Sequence, residues 1–221
     1  MNFFITQAWE QPFFFFAWVG IIAFSICVHE FAHAGMALRC GDDTAARAGH
    51  LSLNPFRQMG LTSLIALLLV GIAWGAVPVD PRRLRSRGAA AAVSCAGPAA
   101  NLLLAALGAA LFVALTRFDL LGGADGSTAH FFRLAGLANA VLFIFNLLPV
   151  PMFDGWSIFS LLFPAMQNVG AATAQNISSL CLLALFTTRA SAWIWSYGTE
   201  LADLLQRGWV LCFALFGPGA A

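Results

Sequence analysis

The residues able to do chemistry are few in this chain, and they are grouped. His29-Glu30-Phe31-Ala32-His33 is an H-E-x-x-H that holds two of the only 4 histidines in 221 residues. On a helix, residues four apart share a face, so both imidazoles can reach one Zn²⁺ at about 2.0–2.1 Å. Glu30 projects about 100° round from His29, too far to join as a ligand with ease but suited to act as general base for an attacking water. The competing account is a hydrogen-bonded His/Glu cluster without metal. The surroundings argue for a cation, because the motif lies in an apolar stretch from Pro12 to Leu38. A carboxylate inside a membrane helix costs at least about 2.5–3.5 kcal/mol unless something compensates it.

A catalytic zinc keeps three protein ligands and an open fourth position. The candidate for the third is Asp154, in Asn146-Leu147-Leu148-Pro149-Val150-Pro151-Met152-Phe153-Asp154-Gly155. Pro149 and Pro151 stop a helix, since proline lacks the N–H and clashes with the preceding turn. Gly155 then allows a tight bend. By itself Asp154 suits a helix N-cap as well as it suits ligation.

The chain is 60% hydrophobic and only 10% charged, against about 25% charged in a soluble domain. So few charges cannot coat a globule, and the composition predicts an all-α polytopic membrane protein. A formal net charge of +1 excludes a nucleic-acid binder, which needs a basic surface. Five cysteines (Cys27, Cys40, Cys95, Cys181, Cys212) form no C-x-x-C pair and read as small buried hydrophobes. The N-terminal apolar run lacks the basic start and small-residue cleavage site of a signal peptide, so it reads as a retained membrane segment.

Six apolar stretches stand out: 12–38, 61–77, 88–116, 131–148, 177–195 and 201–216, with a short helical piece near 156–166. They predict five or six membrane segments in a single domain over 1–221, with a core at about 12–165 and C-terminal helices over 177–217. Arg82, Arg83, Arg85 and Arg87 precede the third stretch and mark that loop as cytoplasmic. Arg39, Arg47 and Arg57 mark the loop after the first stretch in the same way, and all read as interface anchors. Both ends of the second stretch then lie on one side. Leu61–Val70 makes a helix only about 15 Å long before Gly71, Gly75 and Pro78 break it, so residues 61–79 are expected to re-enter the membrane and turn back beside a wet cavity, the alternative being a short ordinary span with weak charge bias. His29, ten residues before Arg39, falls about 15 Å below the cytoplasmic interface. The alternation in Gly49-His50-Leu51-Ser52-Leu53-Asn54 predicts a short β edge within 44–56 that would hold an unwound substrate by backbone pairing. His50 and His130 stand alone in loops and read as exposed or locally bonded.

The H-E-x-x-H in a first membrane helix, a later Gly97-Pro98-Ala99-Ala100-Asn101, and the N-x-x-P-x-P-x-x-D-G of Asn146–Gly155 together resemble the site-2 protease family of intramembrane zinc metalloproteases, over about residues 15–165. The resemblance implies one Zn²⁺ per chain held by His29, His33 and Asp154, with Glu30 as catalytic base. It implies that Asn146 binds substrate or steadies the reaction intermediate; the residue alone would equally cap carbonyls where Pro149 ends the helix. Gly97, Pro98 and Asn101 are expected to be structural. Short loops leave no room for a PDZ-type peptide-binding domain or a C-terminal regulatory domain, which points to the compact branch. Gly49–Pro55 and Val77–Arg85 look like that branch too. Phe56-Arg57-Gln58-Met59-Gly60 departs from it, since relatives commonly carry a histidine and an Asp-Pro pair there.

The expected activity is hydrolysis of peptide bonds within or near transmembrane segments of other membrane proteins. The expected location is a prokaryotic inner membrane, with lipid as neighbour, no nucleic acid, and the site open to the cytoplasm. The alternatives are a multi-pass metal-ion transporter, which would show paired halves or a repeated ligand set, and a proteolytically inactive relative that only binds membrane helices.

Overall fold

The computed structural model describes residues 4–216, and among them it is helical with no strand. The helices are α1 (Gln7–Glu10), α2 (Pro12–Arg39), α3 (Thr44–Arg47), α4 (Pro55–Gln58), α5 (Gly60–Val70), α6 (Arg87–Arg117), α7 (Ser127–Asn146), α8 (Asp154–Leu162), α9 (Ala171–Thr187) and α10 (Ala190–Phe216). Pro12 opens α2, where its missing N–H is harmless. The Ser86 hydroxyl caps α6 by accepting from Ala89 N–H.

Among the described residues, three helices are long and apolar enough to cross a membrane: α2, α6 over Gly88–Arg117, and α7. A fourth crossing arises only if α9 and α10, bent by 79°, count as one broken span. The expectation of five or six segments is therefore not reached among the described residues. The apolar run at 61–77 contains only the 11-residue α5. The two C-terminal stretches also divide differently from expectation. Residues 196–200 are helical within α10 and the break falls at 188–189. Gly198 and Glu200 interrupt hydropathy without breaking a helix, and the missing Gly198 side chain lets α10 close onto Val141 of α7.

The core is made by α2, α6 and α7. Their buried faces are rich in alanine, including Ala34, Ala37, Ala105, Ala109, Ala138 and Ala140. Small residues let membrane helices approach closely, where packing and interhelical polar contacts hold them together. At the α6–α7 crossing, a methyl on Gly108 would lie 2.7 Å from Gly136 N. Of the cysteines, all free, Cys27 is buried, Cys95 is exposed, and the others are intermediate.

The segment between α2 and α6 leaves and rejoins the same end of α2. Asp42, just past α2, accepts from Asp80 N–H at 2.7 Å and so ties the start of the excursion to its finish. In between, α5 runs to Gly71, whose left-handed φ of 79° ends the helix and whose carbonyl accepts from the Trp18 indole at 2.9 Å. Residues 72–79 then return as a limb that is neither helix nor strand. It is stitched to α5 by Ser63 Oγ, which donates to Trp74 O at 2.7 Å and accepts from Trp74 N–H at 2.8 Å. Ala76 N–H donates to Gln58 O at 3.1 Å.

The β edge expected within 44–56 does not form. Residues 44–47 make the helical turn α3, Gly49 takes φ +81°, and no strand is present from 48 to 54. Gln58 explains why. Its side-chain N–H groups donate to His50 O at 2.8 Å and Ser52 O at 2.5 Å, occupying carbonyls that a β ladder would need. The atypical 56–60 segment thus supplies, through buried Gln58, the clamp that shapes this loop.

Candidate metal centre

His29, Glu30 and His33 occupy one buried stretch of α2, with 7%, 7% and 8% of their surface exposed. The i,i+4 spacing places the two Nε2 atoms 2.9 Å apart. Asp154 arrives from α8, 121 positions after His33 along the chain. Asn146 ends α7, and Pro149 and Pro151 prevent its continuation. A turn closed by Val150 N–H to Leu148 O and by Phe153 N–H to Val150 O, both 2.8 Å, reverses the chain. A side chain on Gly155 would strike the Leu147 carbonyl, so the bend requires glycine. Asp154 is the first residue of α8 rather than its N-cap; Phe153 holds that position, and no side chain caps the helix. The carboxylate turns instead to the histidines, with Oδ2 3.1 Å from His29 Nε2 and Oδ1 3.3 Å from His33 Nε2.

Hydrogen-bond partners on the far side of each imidazole decide what these atoms are. His29 Nδ1 lies 2.6 Å from Asn101 Oδ1, and His33 Nδ1 lies 2.7 Å from the Val93 carbonyl. Both partners are acceptors, so each neutral ring carries its hydrogen on Nδ1. The two Nε2 atoms then face each other as bare lone pairs with no hydrogen left to place between them. Asp154 Oδ2 is buried and has no hydrogen-bond partner. It sits within ion-pair distance of His29 Nε2, which in this tautomer has no hydrogen to give it. Three lone-pair donors converging within 4.8 Å of one another suit a bound cation, and two imidazoles with one carboxylate are a zinc set.

Gly97 of α6 faces both imidazoles. A methyl there would collide with the Nε2 atoms of both histidines, filling the space that a cation held by both would need. Gly97 and Asn101, expected to serve only packing, therefore face the site; Pro98 is buried beside them without a polar role. Their presence in a G-P-A-A-N run one helical turn long was the available signal.

Glu30, Asn146 and the three converging residues line a single cavity of about 570 Å³. Residues 73–77 and Val79 of the limb line it as well. The limb passes so close to Glu30 that a methyl on Gly75 would overlap its carboxylate. Asn146 donates from Nδ2 to Leu142 O at 3.0 Å, a bond back into its own helix. His50 bonds through Nδ1 to Gln58 Oε1 at 2.9 Å and is not among the residues lining the cavity. His130 is exposed, in the first turn of α7 rather than in a loop.

Comparison with known proteins gives a consistent answer. The chain matches the profile of Peptidase family M50 over residues 14–127 and 122–188. It is 35% identical over 174 residues to a Bacillus subtilis protein named "Putative zinc metalloprotease YwhC", covering 77% of this chain and 80% of that one. It is 34% identical over 182 residues to "Putative zinc metalloprotease Rip2" of Mycolicibacterium smegmatis, covering 76% and 66%. The Rip2 of Mycobacterium tuberculosis H37Rv is 33% identical over 190 residues, covering 81% and 70%. No solved structure matches the chain.

Proposed function

This chain belongs to Peptidase family M50, the site-2 protease family, and is a zinc metalloendopeptidase; on that premise we propose that it cleaves transmembrane segments of other membrane proteins, inside or at the edge of the bilayer. The observation that carries this reading is the convergence of His29 Nε2, His33 Nε2 and the unpartnered Asp154 oxygen in one cavity with Glu30, on helices long enough to span a membrane.

In this reading His29, His33 and Asp154 hold one zinc. When bound, zinc supplies a Lewis acid that polarises the scissile carbonyl and makes water a stronger acid. The remaining work falls to the chain. Glu30 accepts a proton from the attacking water and delivers it to the leaving amine nitrogen. Asn146, at the cavity wall, offers its carboxamide oxygen to the substrate backbone. The packed faces of α2, α6 and α7 keep bulk water out except through the cavity.

A helical substrate hides its carbonyls and must unwind before it can be cut. The limb 72–79 is the surface we assign to hold it, in place of the 44–56 edge expected from sequence. In an extended chain, alternate residues direct their backbone groups to opposite sides. Residues 74, 76 and 80 use theirs against Ser63, Gln58 and Asp42. Residues 73–77 and 79 all line the cavity, and an unwound segment would add as a neighbouring strand along the edge that 73, 75, 77 and 79 leave to it.

The protein is an integral membrane protein. Its multi-pass course and a cavity mouth on the cytoplasmic side are part of the proposal, supported by the arginines at 39, 47, 57, 82, 83 and 85 near the end of α2 where the excursion closes.

Replacing Glu30 by Gln tests the assignment. Zinc should be retained while cleavage of a membrane-segment substrate in detergent is abolished, and uncut membrane proteins should accumulate in cells carrying the variant. Cleavage by Glu30→Gln at the parent rate would remove Glu30 from the mechanism.

A further inference from the structure

The two histidines are oriented by very different means. The partner of His33 Nδ1 is a main-chain carbonyl, Val93 O, which can only accept. The partner of His29 Nδ1 is the side-chain amide of Asn101, whose two ends have nearly the same shape and opposite hydrogen-bonding character. Turned over, Asn101 would present an N–H to His29, force the hydrogen onto Nε2, and leave that atom unable to ligate. Something must hold the amide in one sense.

That role falls to Asn139. Asn101 Nδ2 donates to Asn139 Oδ1 at 3.0 Å, and Asn139 Nδ2 donates to the Ala135 carbonyl at 2.9 Å. Ala135 O, a backbone carbonyl, can only accept, so the Nδ2 end of Asn139 must face it and Oδ1 must face Asn101. Asn101 is then obliged to meet Asn139 with Nδ2 and His29 with Oδ1. Asn101 and Asn139 are 1% and 3% exposed, so within a span little water is at hand to replace a broken bond. The sense of the chain runs one way, from a carbonyl of α7 to a ring nitrogen of α2.

We propose that Asn139 is a positioning residue for the metal site: acting through Asn101, it fixes the His29 tautomer that leaves Nε2 free to bind zinc. The proposal rests on His29 being a zinc ligand, which the His29→Ala variant tests separately.

The test uses the full-length protein in detergent, with zinc affinity read by competition against a chelator and site geometry read from the visible absorption of the Co²⁺-substituted form. Losing an outer-shell partner of a metal-bound histidine weakens metal binding by about 10- to 100-fold, and Asn139→Leu should do so with an altered Co²⁺ spectrum. Asn139→Asp, held as the neutral acid by burial within a span, still donates to Ala135 O and offers its other oxygen to Asn101 Nδ2, and should bind zinc close to the parent's affinity. Asn101→Leu should weaken binding as well, and adding Asn139→Leu to it should cost nothing more, because Asn139 acts only through Asn101. If Asn139→Leu does not elute as one folded species, Asn139→Val is read in its place. Parental zinc affinity in Asn139→Leu, equal weakening by Asp and Leu at 139, or additive losses in the double variant would each overturn the inference. If His29→Ala itself leaves zinc affinity unchanged, the metal-site reading fails instead.

Discussion

Adding one methyl at Gly75 should separate catalysis from metal binding. The built Cβ would lie 2.5 Å from Glu30 Cγ and 2.6 Å from Cδ, against an ordinary contact of 3.4 Å or more. Relief requires Glu30 or the limb to move by about 1 Å. The limb is held by Ser63, Gln58 and Asp42, so part of the movement falls on Glu30. A misplacement of about 1 Å in a reacting group can cost about 100-fold in rate, or about 2.7 kcal/mol of barrier. Gly75→Ala should thus lower kcat on a membrane-segment substrate by one to two orders of magnitude while zinc content stays at the parent's level. Gly97→Ala provides the contrast, because its methyl meets the histidine Nε2 atoms and zinc itself should be lost. Full activity in Gly75→Ala would refute the close approach of limb and base on which the catalytic geometry depends.

Asp154→Ala should reduce bound zinc sharply by metal analysis, and undiminished zinc would remove Asp154 from the site. Asp42→Asn should raise KM with zinc unchanged, because it weakens the tie to Asp80 N–H that anchors the limb; an unaltered KM would show that the tie does not shape substrate binding. Burial works to raise the Asp42 carboxyl, but hydrogen bonds from the Thr44 hydroxyl and amide and from Asp80 N–H, with the Arg83 charge, hold it below its ordinary value of 3.8. A lowered folded-state pKa stabilises the fold above the ordinary value, and that contribution is lost as pH falls through the lower one. Thermal stability of the parent should therefore drop on acidification through this range, and Asp42→Asn should lack that component. Identical acid profiles for the two proteins would argue against it.

What the amino-acid order determined was local. Helical periodicity alone puts His29 and His33 on one face with Glu30 beside them, since i,i+4 geometry needs no partner element. Apolar length identifies α2, α6 and α7 as spans, and proline chemistry ends α7 before Asp154. That α5 is too short to cross, and turns back at Gly71, was also legible from its glycines. Asp154 stood open between cap and ligand until the family resemblance weighted it, because its partners lie more than a hundred positions away.

Tertiary structure decided the rest, for reasons no window of sequence contains. Whether 44–54 forms a strand depended on Gln58 reaching back to two carbonyls. The C-terminal helices divide at 188–189 and not where hydropathy dips, and Gly198 sits inside α10 against Val141 of α7. Gly75 and Gly97 matter because of what lies opposite their absent side chains, which is a property of two elements and not of either. The hydrogen on His29 is set through amides on α6 and α7, since a ring nitrogen's role is fixed by its neighbour in space.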